Sequence, residues 1–265
     1  MAKIETKNIR NVALLGHGGS GKTSLAEAML YITNGTDRLG NVPAGNTVCD
    51  YDSEEIARHF SISAATAPVM WKDVKINIID TPGYLDFAGE VGQALRVADS
   101  AIIVVDGKAG IEVGTELAWD AASAAGLPTA FFINKFDDNE ARFGRVLDAL
   151  HLTFGKQVCP LTIPMVRDGV VVGAIDLIDK TAHVFDKNGR HSVELIPEAR
   201  SRQDRTILTT SPPIWTGSSG CATVKSIQAS SHPTRSFEKR STAHVWAASA
   251  AACWAMQWNA SRPMS

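Results

Sequence analysis

Apolar and polar positions along the first 150 residues predict strands that alternate with helices. Short apolar runs indicate strands at residues 11–15, 61–70, 74–79, 101–105 and 129–133. Apolar residues three or four apart indicate helices at residues 22–32, 89–97, 112–125 and 139–152. This alternation is typical of an α/β protein with a mostly parallel sheet, in which the second and third strands form a hairpin. The polar stretch at residues 38–59 predicts a mobile loop.

The pattern changes after Pro160. Apolar runs at residues 161–165, 170–177 and 182–185 are separated by Asp168-Gly169 and by Asn188-Gly189, dipeptides that favour tight hairpin turns. We therefore predict a small antiparallel unit over residues 159–199, which follows the main domain at residues 1–158.

Residues 200–265 have an unusual composition. They hold one of the sixteen Leu but four of the six Trp, and their balance of charged residues is +6, against −8 for residues 1–199. A disordered tail is expected to lack Trp, and a folded domain is expected to hold more Leu. We interpret this tail as the product of a shifted reading frame or of a gene fusion. The alternative is a genuine basic tail that contacts nucleic acid.

No segment predicts contact with a membrane. No apolar run reaches the ~18 residues that a membrane span needs, and the first residues lack the apolar core of a signal peptide. The four Cys residues form no C-x-x-C pair of the kind found in zinc sites. We expect a cytoplasmic protein.

The sequence GHGGSGKT matches the phosphate-binding pattern G-x-x-x-x-G-K-[ST] between a predicted strand and a predicted helix. Its glycines allow backbone N–H groups to face phosphate oxygens, and the helix N-terminus favours an anion. Lys22 is predicted to contact the β- and γ-phosphates, and the hydroxyl of Thr23 to hold Mg²⁺. The predicted nucleotide-binding residues of this loop are Gly16, His17, Gly18, Gly19, Ser20, Gly21, Lys22 and Thr23.

Two further motifs follow predicted strands. In DTPG, the carboxylate of Asp80 is predicted to hold Mg²⁺ through water, and the N–H of Gly83 to contact the γ-phosphate. In NKFD, Asp137 is predicted to accept hydrogen bonds from the N1–H and N2–H₂ groups of guanine. Lys135 is predicted to cover the plane of the base, and Asn134 to tie this loop to the phosphate loop. Together the motifs predict GTP and GDP as ligands.

The intervening sequence narrows this prediction. DTPGYLDFAGEVGQALRVADSAIIVVDGKAG and GLPTAFFINKFDDNEARFGRVLDAL resemble the elongation factor G family of translational GTPases, and the likeness extends over roughly residues 8 to 196. The resemblance implies a P-loop domain that hydrolyses GTP with Mg²⁺ and acts on the ribosome. It also implies that residues 159–199 begin a subdomain inserted within the GTP-binding domain.

Several departures from that family pattern are visible. The family has an acid at the position of Gly19, a magnesium-binding Thr at Ser61 and a His at Tyr84. The resemblance places Tyr84 beside the attacking water, so we assign Tyr84, Lys22 and Gly83 as catalytic and expect weak hydrolysis. In the alternative, the Tyr84 ring merely packs, ring down, under the segment that contains DTPG, which resembles that family's switch II. The last guanine-binding loop and the later domains do not appear, so a non-catalytic fragment or a slow nucleotide switch are the competing interpretations.

Overall fold

A five-stranded sheet forms the centre of the computed structural model, which describes residues 4–71, 73–136, 141–155, 157–167, 170–177, 181–185 and 191–195. The strands are β1 (Ile9–Leu15), β2 (Ala65–Trp71), β3 (Val74–Asp80), β4 (Ser100–Asp106) and β5 (Thr129–Asn134), in the order β2-β3-β1-β4-β5. All neighbours pair in parallel except β2, which is antiparallel to β3 at one edge. The predicted hairpin and mostly parallel sheet are confirmed.

Helices cover both faces of the sheet: α1 (Lys22–Ile32), α2 (Ser53–Arg58), α3 (Ala88–Val97), α4 (Val113–Ala124) and α5 (Phe143–Phe154). Ile102 and Val104 of β4 lie in one core with α1, whereas Ile103 and Val105 lie in the other with α4 and α5. Burial on both sides explains why β4 reads as a continuous apolar run. Trp119 is part of the second core, where it stacks on Phe131 at 5.4 Å.

The second sheet contains β6 (Thr162–Arg167), β7 (Val170–Asp176), β8 (Thr181–Phe185) and β9 (His191–Leu195), all antiparallel and in chain order. Its small core includes Ile163, Met165 and Ile175, with Phe143 of α5 packed against it. The antiparallel unit is thus present, with a fourth strand that the apolar pattern did not indicate.

The segment at residues 38–59, predicted as a mobile loop, contains local structure that its polarity did not indicate. It contains a short 3₁₀ turn, Val42–Ala44, and helix α2. A capping box begins α2, in which the Asp52 side chain accepts from the backbone and Glu55 bonds back to the backbone N–H of Asp52. Strand β2 begins at Ala65, four residues later than predicted, because residues 61–64 make the contacts described below.

Several parts of the interpretation lie outside the described residues: Asp137, the predicted turns at Asp168-Gly169 and Asn188-Gly189, and everything beyond residue 195. Within the described ranges, no helix has both the length and the apolar character that a membrane crossing needs.

Candidate functional site

Three loops meet at one edge of the sheet because the carboxyl ends of β1, β3 and β5 lie there. In open α/β sheets this edge is the usual place for a ligand. The loop after β1 carries GHGGSGKT, the loop after β3 carries DTPG, and β5 ends at Asn134. The topology therefore brings together the motifs that are separate in sequence.

The phosphate loop turns sharply into α1. Gly21, the residue before the helix, has φ 99°, and no side chain caps the first turn. A helix that begins without a capping side chain leaves its first N–H groups available to an anion. A Cβ on Gly16 would lie 2.4 Å from the carbonyl oxygen of Val104, so β1 and β4 approach as closely as they do only because this residue is glycine.

Lys22 points back into the loop. Its ammonium group donates to the carbonyl oxygens of Gly16 at 3.1 Å and His17 at 2.9 Å, and the residue is 6% exposed. Burial lowers the pKa of Lys22, and the nearby carboxylates of Asp80 and Asp50 oppose that shift. The loop therefore holds a cation at the point where a phosphate chain would approach α1.

Asp80 is the most unusual group of the site. It is 1% exposed, and neither carboxylate oxygen has a hydrogen-bond partner of good geometry. Burial raises its pKa to about 7, although the nearby Thr23 hydroxyl and Lys22 ammonium offset part of that shift. A buried carboxylate without partners costs several kcal/mol unless a cation meets it.

Two hydroxyl groups and a second carboxylate lie beside Asp80. Ser61 Oγ is 3.1 Å from Thr23 Oγ1 and donates to Asp50 Oδ1 at 2.7 Å. This group offers only oxygen ligands, which Mg²⁺ prefers. Among the described residues no cluster of three or more His, Cys, Asp and Glu suits a metal ion, so a magnesium site here depends on the two hydroxyls. The residues present fit Mg²⁺, because the Asp80 oxygens have acceptor capacity to spare.

The loop after β3 lies directly on the phosphate loop. A Cβ on Gly83 would be 2.4 Å from Lys22 Nζ and 2.7 Å from the backbone nitrogen of Gly18. The Tyr84 ring covers Gly18, where a Cβ would be 3.1 Å from the ring, and the ring also meets Phe60 at 4.8 Å between ring centroids. Tyr84 is 47% exposed. The ring therefore contacts the phosphate loop at Gly18 and the segment before Ser61 at Phe60.

The base-recognition motif is also connected to the phosphate loop. Asn134 Nδ2 donates to the carbonyl oxygen of Ser20 at 2.9 Å, as the motif implies. Lys135 has φ 59° and its ammonium group pairs with Asp106 Oδ2 at 2.7 Å. The Lys135 hydrogen bond and two backbone N–H groups lower the pKa of Asp106 despite its partial burial. Asp106 thus holds both the turn that follows β4 and the Lys135 ammonium group.

His17 contributes its side chain as well as its backbone. The backbone N–H of Gly114 donates to His17 Nδ1 at 3.3 Å, and His17 Nε2 lies 3.5 Å from Glu112 Oε1. A Cβ on Gly114 would collide with His17 at 2.7 Å. The imidazole therefore joins the phosphate loop to the start of α4.

Sequence reasoning missed Asp50 and Phe60 as members of the site. Asp50 is 4% exposed, and nothing in its local sequence distinguishes it from the exposed Asp52. The one available signal was for Phe60, which directly precedes Ser61, whereas Asp50 lies eleven residues before it.

Comparison with known proteins gives consistent matches. The family model for the elongation factor Tu GTP binding domain matches residues 7–258. Ribosome-releasing factor 2, mitochondrial, of Anopheles gambiae is 38% identical over 195 residues, which are 73% of this chain and 26% of that protein. Elongation factor G of Dehalococcoides mccartyi is 35% identical over 205 residues, which are 77% of this chain and 30% of that protein.

A solved structure is similar to this chain over a comparable range. A crystal structure of a Thermus thermophilus protein superposes with a TM-score of 0.70 and 35% identity, over 76% of this chain and 30% of that one. The chain therefore spans about 30% or less of the length of these relatives.

Proposed function

Because the chain belongs to the elongation factor Tu GTP-binding domain family, we propose that its strand-end site binds GTP and GDP with Mg²⁺ and hydrolyses GTP slowly. The observation that carries this proposal is the Asp80 carboxylate, buried without hydrogen-bond partners beside Lys22 and Thr23. A cation bound with the phosphates would compensate this charge.

Each phosphate-site residue has a defined task in this proposal. Thr23, Ser61 and Asp80 hold Mg²⁺ directly or through water, and Asp50 fixes the Ser61 hydroxyl. When bound there, Mg²⁺ would neutralise charge on the phosphate oxygens. Lys22 exchanges its two carbonyl partners for phosphate oxygens. The N–H of Gly83 donates to the γ-phosphate.

The base site reads guanine through Asn134, Lys135 and Asp137. Asn134 holds the loop against the phosphate loop, and Asp106 fixes the Lys135 ammonium so that the aliphatic stem is free to cover the base plane. Asp137 accepts from the guanine N1–H and N2–H₂ groups, a donor pair that adenine lacks.

Titration with labelled GDP and with labelled ATP tests the proposed function. We expect GDP to bind clearly more tightly than ATP, because adenine leaves the carboxylate of Asp137 without its donors. Mg²⁺ should strengthen the binding of GTP. Equal affinity for GDP and ATP would contradict the assignment.

By analogy with its relatives, we propose that the chain acts with the ribosome during translation. A cytoplasmic location remains a prediction, since one relative described above is mitochondrial. The competing role, a nucleotide switch that stays long in its GTP state, is favoured by Tyr84. A neutral phenol can orient water, but unlike the imidazole of His it adds no positive charge near pH 7.

Tyr84→His therefore has a defined expected result. In a chimera in which residues 1–195 replace the matching part of elongation factor G from D. mccartyi, we expect ribosome-stimulated GTP hydrolysis to rise about tenfold. The dissociation constant for GTP should stay unchanged, because the Tyr84 ring packs on Gly18 and Phe60 and supplies none of the phosphate contacts proposed above. Single-turnover phosphate release measures the rate, and Tyr31→His serves as the control. Equal stimulation of the unmodified chimera would show that Tyr84 is a competent substitute.

A further inference from the structure

A buried carboxylate holds the segment that carries Ser61. Glu55, the third residue of α2, is 1% exposed. Its Oε1 accepts from the backbone N–H groups of Ile62 at 2.9 Å and Ser63 at 3.0 Å, and its Oε2 accepts from that of Asp52 at 3.2 Å. One side chain therefore joins the start of α2 to the two residues that follow Ser61.

No ion pair among the described residues includes Glu55. Removing a carboxylate from water costs several kcal/mol unless hydrogen bonds to the charged form repay it. Three backbone donors supply those bonds here. Helix α2 has only six residues, too few to be stable alone in water. The carboxylate is therefore best explained by the backbone that it holds in place.

That backbone sets the position of a hydroxyl group. Ser61 Oγ lies 3.1 Å from Thr23 Oγ1, and the next two N–H groups along the chain both end on Glu55. The following N–H, of Ala64, donates to Glu90 Oε2 at 2.9 Å from helix α3. Residues 62–64 thus have every backbone N–H fixed by a carboxylate, and this fixes the direction in which Ser61 points.

We propose that Glu55 is a positioning residue that holds the Ser61 hydroxyl against Thr23 and, through it, the Mg²⁺ that accompanies GTP. This inference rests on the proposed function. The inference extends the proposed function by assigning a role to a residue that touches neither nucleotide nor metal. A glutamine at position 55 keeps the shape of the side chain, but its amide nitrogen cannot accept a hydrogen bond, so at least one of the three N–H contacts is lost.

The test compares Glu55→Gln with Glu54→Gln in the full 265-residue chain. Glu54 is the neighbouring residue of the same helix, and its exposed carboxylate pairs with Arg58 at 2.9 Å. We expect the Mg²⁺ concentration that half-maximally slows release of a non-hydrolysable GTP analogue to rise about tenfold for Glu55→Gln, and to stay unchanged for Glu54→Gln. Without nucleotide, the amides of Ile62 and Ser63 should exchange hydrogen faster in Glu55→Gln alone.

A double-mutant cycle separates positioning from general stabilisation. If Glu55 acts through Ser61, the Mg²⁺ requirement of Glu55→Gln/Ser61→Ala should equal that of Ser61→Ala alone. Additive effects, or a lower melting temperature with an unchanged Mg²⁺ requirement, would overturn the proposal. If Glu55→Gln does not fold, the same comparison is made with Glu55→Asp, whose side chain is one methylene group shorter. If the wild type does not bind guanine nucleotide, the proposed function fails, and unchanged amide exchange in Glu55→Gln would separately reject the positioning role of Glu55.

Discussion

Replacing Asp80 with Asn should make the nucleotide-free protein more stable at pH 8 and should weaken its Mg²⁺-dependent nucleotide binding. The side chain is buried without hydrogen-bond partners, and its pKa is raised to about 7. In the unfolded chain the same carboxyl titrates near ~3.9. Since the amide never ionises, the variant avoids the cost of burying a charge.

The sign of the pH dependence follows from proton binding. Between pH ~3.9 and about 7 the folded protein holds a proton on Asp80 that the unfolded chain has lost. The free energy of unfolding therefore falls as pH rises through this window, and the loss is complete above it. The full loss in the free energy of unfolding is on the order of 4 kcal/mol. The buried amide of the variant itself costs about 2 kcal/mol, so Asp80→Asn should be more stable than the wild type by about 2 kcal/mol at pH 8. By pH 5 the advantage should disappear.

Urea denaturation at both pH values, with and without Mg²⁺ and GDP, measures these effects. With Mg²⁺ and GDP present, the wild type should be more stable than Asp80→Asn, because only the wild type gains the full stabilisation by binding. The Mg²⁺ affinity of the variant should fall about 10- to 100-fold. Asp86→Asn, at an exposed position of the same loop, is the control. A variant that is less stable than wild type at pH 8 would show that Asp80 is not the uncompensated charge described above.

Lys22→Ala should abolish tight nucleotide binding while the fold persists. The Lys22 ammonium is buried in the phosphate loop with two carbonyl partners, and it is the cation positioned to replace them with phosphate oxygens. Charge-assisted hydrogen bonds contribute about 1.5–3 kcal/mol each, so the loss of two predicts a decrease in GTP affinity of about 100-fold or more.

Lys22→Arg should fail almost as completely as Lys22→Ala. A Cβ on Gly83 would lie only 2.4 Å from Lys22 Nζ, so the larger guanidinium has no room at this point. Fluorescence titration with labelled GTP measures both variants, and Lys7→Ala, whose side chain is 75% exposed, serves as the control. Retention of wild-type affinity in Lys22→Ala would contradict the placement of the phosphates.

Most of the strands and the phosphate loop could be predicted from sequence because each depends on local pattern. Helix α1 has the predicted bounds, and β4 has the apolar run that burial on both faces requires. Helix α2 was missed although its signal was present: Asp52 followed three residues later by Glu55 is a capping-box pattern. The polarity of the surrounding stretch obscured it.

The remaining contacts depend on residues distant in sequence. Glu55 and Asp50 are acids of the kind that usually stay exposed, and only the folded backbone around Ser61 supplies the donors that bury them. The pairing of Asp106 with Lys135 likewise requires that β4 and β5 be neighbours. The sequence pattern shows which polar side chains the chain contains, but it does not show which of them contact each other in the folded protein.

The contact between Gly18 and Tyr84 constrains how this site changes during evolution. Gly18 has an ordinary backbone conformation, so the Tyr84 ring, and not strain, limits what can occupy position 18. A methyl group at position 18 would already lie 3.1 Å from the ring, so a larger side chain would displace the ring. The constraint acts in one direction: lineages that carry Tyr at 84 should retain glycine or alanine at 18, and bulkier residues at 18 should accompany a smaller partner at 84.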